Sequence, residues 1–159
     1  MNRRQTRRGD DAGLERGPTG FSMLELVIVL AMAAVIASYA VPAYVSYLAR
    51  GYRLDAVIAL HRAAQHVVAN PPVSGFASAL PPGLDRAPEQ GRAVYRLQLL
   101  PGTEANGGYE LRAIPVDGGP MQGDPCGTFA LDGFGARSNR GQAGAQGAAM
   151  DPCWAGRSP

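Results

Sequence analysis

The sequence predicts an α+β chain: one long N-terminal helix packed on a small antiparallel sheet of three to four strands, with a disulfide-closed C-terminal loop. Three observations carry this expectation. Leu26 to Ala49 is a run of 24 residues without Asp, Glu, Lys, Arg or His. The apolar residues after it recur at helical spacing, and beyond residue 92 the pattern changes to alternation. Only two cysteines occur, Cys126 and Cys153, both beyond the apolar run.

Residues 1–20 read as a basic cytoplasmic leader. Arg3, Arg4, Arg7, Arg8 and Arg16 precede the run, against Arg50 and Arg53 behind it. That asymmetry predicts an N-in, C-out orientation. As a helix the run would extend ~36 Å, enough to cross a hydrocarbon core of about 30 Å, so residues 21–49 read as a transmembrane segment. Pro42 lacks an N–H and clashes with the turn before it, which predicts a kink. Glu25 heads this segment at a cost of roughly 2–3 kcal/mol, so it needs a reason. Two plainer readings fit the same residues. One is a secretory signal peptide cut after Ala40, behind Ser38-Tyr39-Ala40; the other is a one-pass anchor with Glu25 at the interface. A basic region near 24 residues long, ending in a glutamate, suits the first poorly.

Residues 50–70 continue the helix as an amphipathic half. Val45, Leu48, Tyr52, Val57, Leu60, Ala64, Val67 and Val68 recur at near-helical spacing, with Arg50, Arg53, Asp55, Arg62 and Gln65 mostly on other faces. Asn70-Pro71-Pro72 ends it. Residues 71–159 form the head. Its first part, 71–92, is rich in Pro and Gly and reads as a loop with little regular structure. Ala93–Leu99 alternates as a strand, Tyr109–Pro115 follows through a Gly- and Asn-containing hairpin, and Thr128–Asp132 is a third strand ended by Asp132-Gly133. The sheet's apolar face is expected on Val57, Leu60 and Val67. Residues 134–152, rich in Gly, Ala and Gln, cannot hold themselves by burial, so the disulfide is expected to fix them.

Composition narrows the function classes. All fifteen basic residues are Arg. Five of them and three of the thirteen acids lie in the leader, which leaves ten of each beyond it. That balance removes a global electrostatic case for nucleic-acid binding. Two cysteines outside the cytoplasm read as a disulfide. A free thiol or a metal pair is the alternative, without a CxxC or nearby His to support it. His61 and His66 stand about 140° apart on a helix at ~100° per residue, a poor geometry for sharing a metal. No nucleophile triad, phosphate loop or paired-carboxylate site stands out, so the chain is read as a non-enzyme without cofactor or metal. Arg137 and Arg140 are a candidate basic patch, with an ordinary solvated loop as the plainer reading.

Gly20-Phe21-Ser22-Met23-Leu24-Glu25-Leu26-Val27-Ile28-Val29-Leu30, with Val41-Pro42-Ala43-Tyr44 and Tyr47, resembles the N-terminal region of type IV prepilins. The likeness covers about 35 residues, Gly20 to Tyr52. It implies the type IV pilin fold, cleavage by a prepilin peptidase between Gly20 and Phe21, N-methylation of Phe21, and a role for Glu25 in methylation and assembly. The run Cys126-Gly127-Thr128-Phe129-Ala130-Leu131-Asp132, ending with Cys153-Trp154, is similar to the disulfide-closed heads of PilE-type minor pilins. One departure is Ala33-Ala34, where many major pilins carry a glycine. The implied partners are the prepilin peptidase, other pilin subunits, the pilus assembly platform and the bacterial inner membrane before export into an extracellular pilus. A major pilin, a type II secretion pseudopilin and a DNA-uptake pilin are the alternatives.

The resemblance gives Glu25 its reason. The amine freed at Phe21 would stand one helical turn from Glu25, and in a helix bundle it could reach the Glu25 of a neighbour. Two unit charges at 4 Å attract by ~4 kcal/mol at an effective dielectric near 20, before desolvation. The pair would therefore select the stagger in which both charges are neutralised.

Overall fold

A computed structural model of the chain describes residues 20–70, 79–140 and 150–157. The leader through residue 19, Pro71-Pro72 and much of the 134–152 segment lie outside the described residues. Two units divide the chain, Met1–Ala40 and Val41–Pro159.

Helix α1 runs over Met23–Ala69, with Pro42 inside it. Its first part is built of Leu, Ile, Val, Ala and Met, all exposed around the helix. Pro42 has no N–H to offer the carbonyl of Ser38, so the ladder loses that bond while the helix continues through it. Two hydroxyls in the apolar stretch satisfy themselves locally: Ser38 Oγ donates to the Val35 carbonyl at 2.7 Å, and Ser46 Oγ to that of Ala43 at 2.8 Å. The helix ends where Asn70 donates to the His66 carbonyl from both its backbone N (2.9 Å) and its side-chain Nδ2 (3.1 Å).

The Val41–Pro159 unit holds the core. From α1 it takes Arg53, Ala56, Ala59, Leu60, Ala63 and Val67. Alanines at helical spacing and Leu60 form the buried face of the helix and share one core with the sheet. Leu60 and Val67 are buried as expected; Val57 is half-buried, and Val45 and Val68 are exposed.

The sheet has five antiparallel strands in sequential order, more than the three to four expected: β1 Arg86–Ala87, β2 Tyr95–Pro101, β3 Tyr109–Pro115, β4 Thr128–Asp132 and β5 Arg137–Arg140. Alternation decides its faces. Tyr95, Leu97, Leu99, Leu111, Ala113, Phe129 and Leu131 point into the core, while Arg96 and Gln98 are exposed and Arg112 is half-buried on the other side. Two expectations are corrected. The 71–92 segment contributes β1, because Arg86 and Ala87 pair with Arg96 and Tyr95. Residues 137–140 are held by ladder pairing to β4 as well as by the disulfide. The Asp132-Gly133 turn brings Arg-Ser-Asn-Arg, a sequence without strand-favouring residues, alongside an existing strand. A short helix α2, Met150–Trp154, closes the described chain.

Candidate functional site

Gly20, Phe21 and Ser22 precede the helix, and the Leu26 amide donates to the Ser22 carbonyl at 3.1 Å. Ser22 is therefore the cap residue, and Phe21 lies one residue outside it. Sequence spacing places 21 and 25 on one helical face; here the helix starts at Met23, so the two align only when Phe21 and Ser22 join it. Glu25 sits in the first turn, where the helix dipole favours a carboxylate. Phe21 is 84% exposed. Gly20 is exposed too, and a Cβ built on it meets nothing within 4 Å. Among the described residues, no packing or left-handed backbone requires glycine at that position.

Beyond Glu25, the helix is long and apolar enough to cross a membrane, and none of its apolar window is buried. This is consistent with a membrane anchor. Leu24, Leu26, Val27, Val29, Leu30 and Val35 are all more than half exposed, so the apolar surface wraps the helix completely. A helix apolar all round needs lipid or other helices against it.

In the head, Arg53 does what sequence reasoning did not assign to it. The residue is 3% exposed, and its guanidinium holds Asp124 through Nε at 3.2 Å to Oδ1 and through NH2 to Oδ2. NH1 donates to the Gly156 carbonyl at 3.3 Å. Asp124 Oδ1 also accepts from the Cys126 amide at 3.0 Å. The available signal was spacing: 53, 56, 60, 63 and 67 repeat by three and four along the buried face.

Cys126 and Cys153 are joined in a disulfide with Cα atoms 5.6 Å apart, as the sequence suggested. The next residue, Trp154, is an anchor the sequence reading did not weigh. Its ring meets Phe129 edge-on at 5.5 Å and His61 at 6.4 Å, and the Arg137 guanidinium stacks over it at 5.4 Å. Asn139 Nδ2 donates to the Cys126 carbonyl at 3.3 Å, tying β5 to the same corner.

The paired arginines of the sequence reading separate here. Arg137 pairs with Leu131 and Arg140 with Thr128, positions on opposite faces of the sheet, so they form no common patch. Where His61 stacks on Trp154, His66 sits near the helix end beside Asn70 Nδ2, at 3.4 Å. Among the described residues no group of three metal-ligating side chains gathers. Pro42 stands alone in the helix, apart from the disulfide corner. In comparisons with known proteins, the chain matches no protein family and no curated protein.

Proposed function

We propose that the chain is a type IV prepilin, a structural subunit cut by a prepilin peptidase between Gly20 and Phe21 and assembled into a pilus through its N-terminal helix. One observation supports this above the rest: the apolar first half of α1, exposed on every side, carries a single carboxylate, in its first turn, five residues after a glycine that no described contact requires. A plain anchor gives neither residue a purpose. Cleavage supplies both, since it needs an accessible, unbranched backbone at Gly20 and creates the ammonium that Glu25 would meet in an adjacent subunit.

The five-stranded head with its disulfide is compatible with the pilin fold, and the short Cys126–Asp132 likeness favours a PilE-type minor pilin over a major one. The inner membrane would hold the subunit before assembly, with the head periplasmic. Separation of Arg137 from Arg140 leaves the DNA-uptake alternative without its patch.

Mass spectrometry of sheared surface filaments tests the proposal. The expected result is a mature chain that begins with methylated Phe21, together with a Glu25→Ala variant that stays in the membrane fraction. A native N-terminus elsewhere, or Glu25→Ala chains in filaments at the normal level, would overturn it.

A further inference from the structure

At one end of the sheet, two hairpin turns lock together. The Gly133 amide, in the β4–β5 turn, donates to the carbonyls of Asn106 and Tyr109 at 2.9 and 3.1 Å. A Cβ on Gly107, whose φ is +74°, would fall 2.7 Å from the Gly133 carbonyl carbon, so only glycine permits the approach. Asp132 grips its own turn: Oδ1 accepts from the Phe134 amide at 3.0 Å and the Ala136 amide at 2.7 Å.

A cavity of about 160 Å³ opens beside these turns, lined by Asn106, Glu110, Ala130, Asp132, Ala136 and Ser138. Arg137 borders it as well, but its guanidinium lies over Trp154. Strand pairing sets Glu110 opposite Asp132 and Ala130 opposite Ser138, all on the face turned away from the core. Ala130 is 4% exposed yet lies outside the core cluster, so it floors the cavity.

Four lining side chains keep a polar atom without a partner among the described residues. Glu110 Oε2 and Asp132 Oδ2 are spare because each carboxylate spends its other oxygen, on Arg112 and on the turn amides. Asn106 Oδ1 accepts from the Thr103 amide at 2.7 Å, which leaves Nδ2 to donate. Ser138 Oγ both donates and accepts.

This set selects its ligand. An anion would face two carboxylates. An ammonium would satisfy the acceptors and leave Asn106 Nδ2 unpaired. Neighbouring hydroxyls, each a donor and an acceptor, meet all four groups. The cavity is well below the roughly 300–1,000 Å³ of a drug-sized site, so it takes one ring-sized unit. Phe134, 71% exposed, stands between the wall residues Asp132 and Ala136 on a backbone already fixed. It offers an apolar ring to a ligand's C–H face with little ordering left to do.

We propose that this cavity binds one neutral pyranose, its hydroxyl edge toward Glu110, Asp132, Asn106 and Ser138 and its C–H face against Phe134. The site lies in the head and does not rest on the prepilin reading.

Saturation-transfer NMR on the full-length chain tests it, in dodecylphosphocholine micelles so that no detergent sugar competes. The probes are glucose, galactose, mannose and N-acetylglucosamine, each free and as its methyl glycoside. At least one should bind with a Kd of about 1 mM, the scale for a ligand of this size. Glycosides that bind as well as the free sugars identify the end of a glycan; binding of free sugars alone identifies a free sugar. Ala130→Leu fills the floor from the outer face, Phe134→Ala removes the ring, and Asp132→Asn keeps the oxygen that grips the turn while losing the carboxylate. Each should weaken binding at least tenfold while Trp154 emission, which reports the core, stays unchanged. Silence from every probe at about 20 mM, twentyfold above that Kd, overturns the proposal. Binding that survives all three substitutions overturns it too.

Discussion

Arg53 holds Asp124 across 71 positions of sequence and, through a second arm, the carbonyl of Gly156. Asp124 stands two residues before Cys126, and Gly156 three residues after Cys153. One helix side chain thus clasps both stems of the disulfide-closed loop. Asp124 is 9% exposed, so water screens this pair little. Removing one partner of a buried pair leaves the other charge unpaired, which costs far more than replacing both with apolar residues.

Arg53→Met or Asp124→Leu alone should therefore destabilise the head by about 3–5 kcal/mol. The double variant should cost clearly less than the sum, because neither charge remains in the core. Urea unfolding of the full-length chain in detergent would measure it, read by Trp154, the only tryptophan in the chain. Additive costs would show that the two groups do not depend on each other.

The disulfide closes a loop of about 28 residues, worth roughly 3.5 kcal/mol in the chain-entropy model. Cys126→Ser with Cys153→Ser should lower stability by about that amount. Because Trp154 adjoins Cys153 and packs on Phe129, reduction should also shift its emission to the red as the ring meets water. An unchanged spectrum on reduction would mean that packing alone holds this corner.

Tyr95 is fully buried, and its hydroxyl has no hydrogen-bond partner among the described residues. Burial, with the Asp124 charge adding to it, raises its pKa well above the ordinary 10. The sign follows directly. The folded state keeps the phenol proton while the unfolded chain loses it above about pH 10, so stability is full below that value. It should then fall as pH climbs toward the raised folded value, by up to ~1.4 kcal/mol per unit. Tyr95→Phe should be neutral or stabilising by about 1 kcal/mol near pH 7, since it removes an unsatisfied polar atom. It should also flatten the alkaline loss, which unfolding between pH 9 and 11 would reveal.

Much of this fold was legible because period and burial agree. Tyr109–Pro115 and Thr128–Asp132 coincide with the strands read from alternation, and Ala93–Leu99 is displaced by two residues to Tyr95–Pro101. What escaped was structure imposed from outside the segment. Arg-Ser-Asn-Arg has no intrinsic reason to be a strand; the β4 edge makes it one. Arg53 looks like a solvated charge until Asp124 arrives from the β3–β4 connection. At the N-terminus the reverse holds: Gly20 and Glu25 were conspicuous in the sequence, and nothing among the described residues accounts for the glycine.

Two glycines separate fold from processing. Gly156 has φ +75°, and a Cβ on it would lie 2.9 Å from Leu54 Cγ and 3.2 Å from the Arg50 carbonyl oxygen. Gly156→Ala must strain the backbone and push the C-terminal segment off α1, weakening the Arg53 contact as well. It should cost about 1–2 kcal/mol from the left-handed conformation alone. Gly20→Leu meets open space and should leave the urea midpoint unchanged. Under the prepilin reading the phenotypes cross: Gly156→Ala chains are cut at Phe21 but less stable, while Gly20→Leu chains are stable, inserted and uncut. Immunoblots for the mass difference of the 20-residue leader, run beside unfolding curves, would score both. Normal cleavage of Gly20→Leu would return this glycine to the status of an ordinary linker residue.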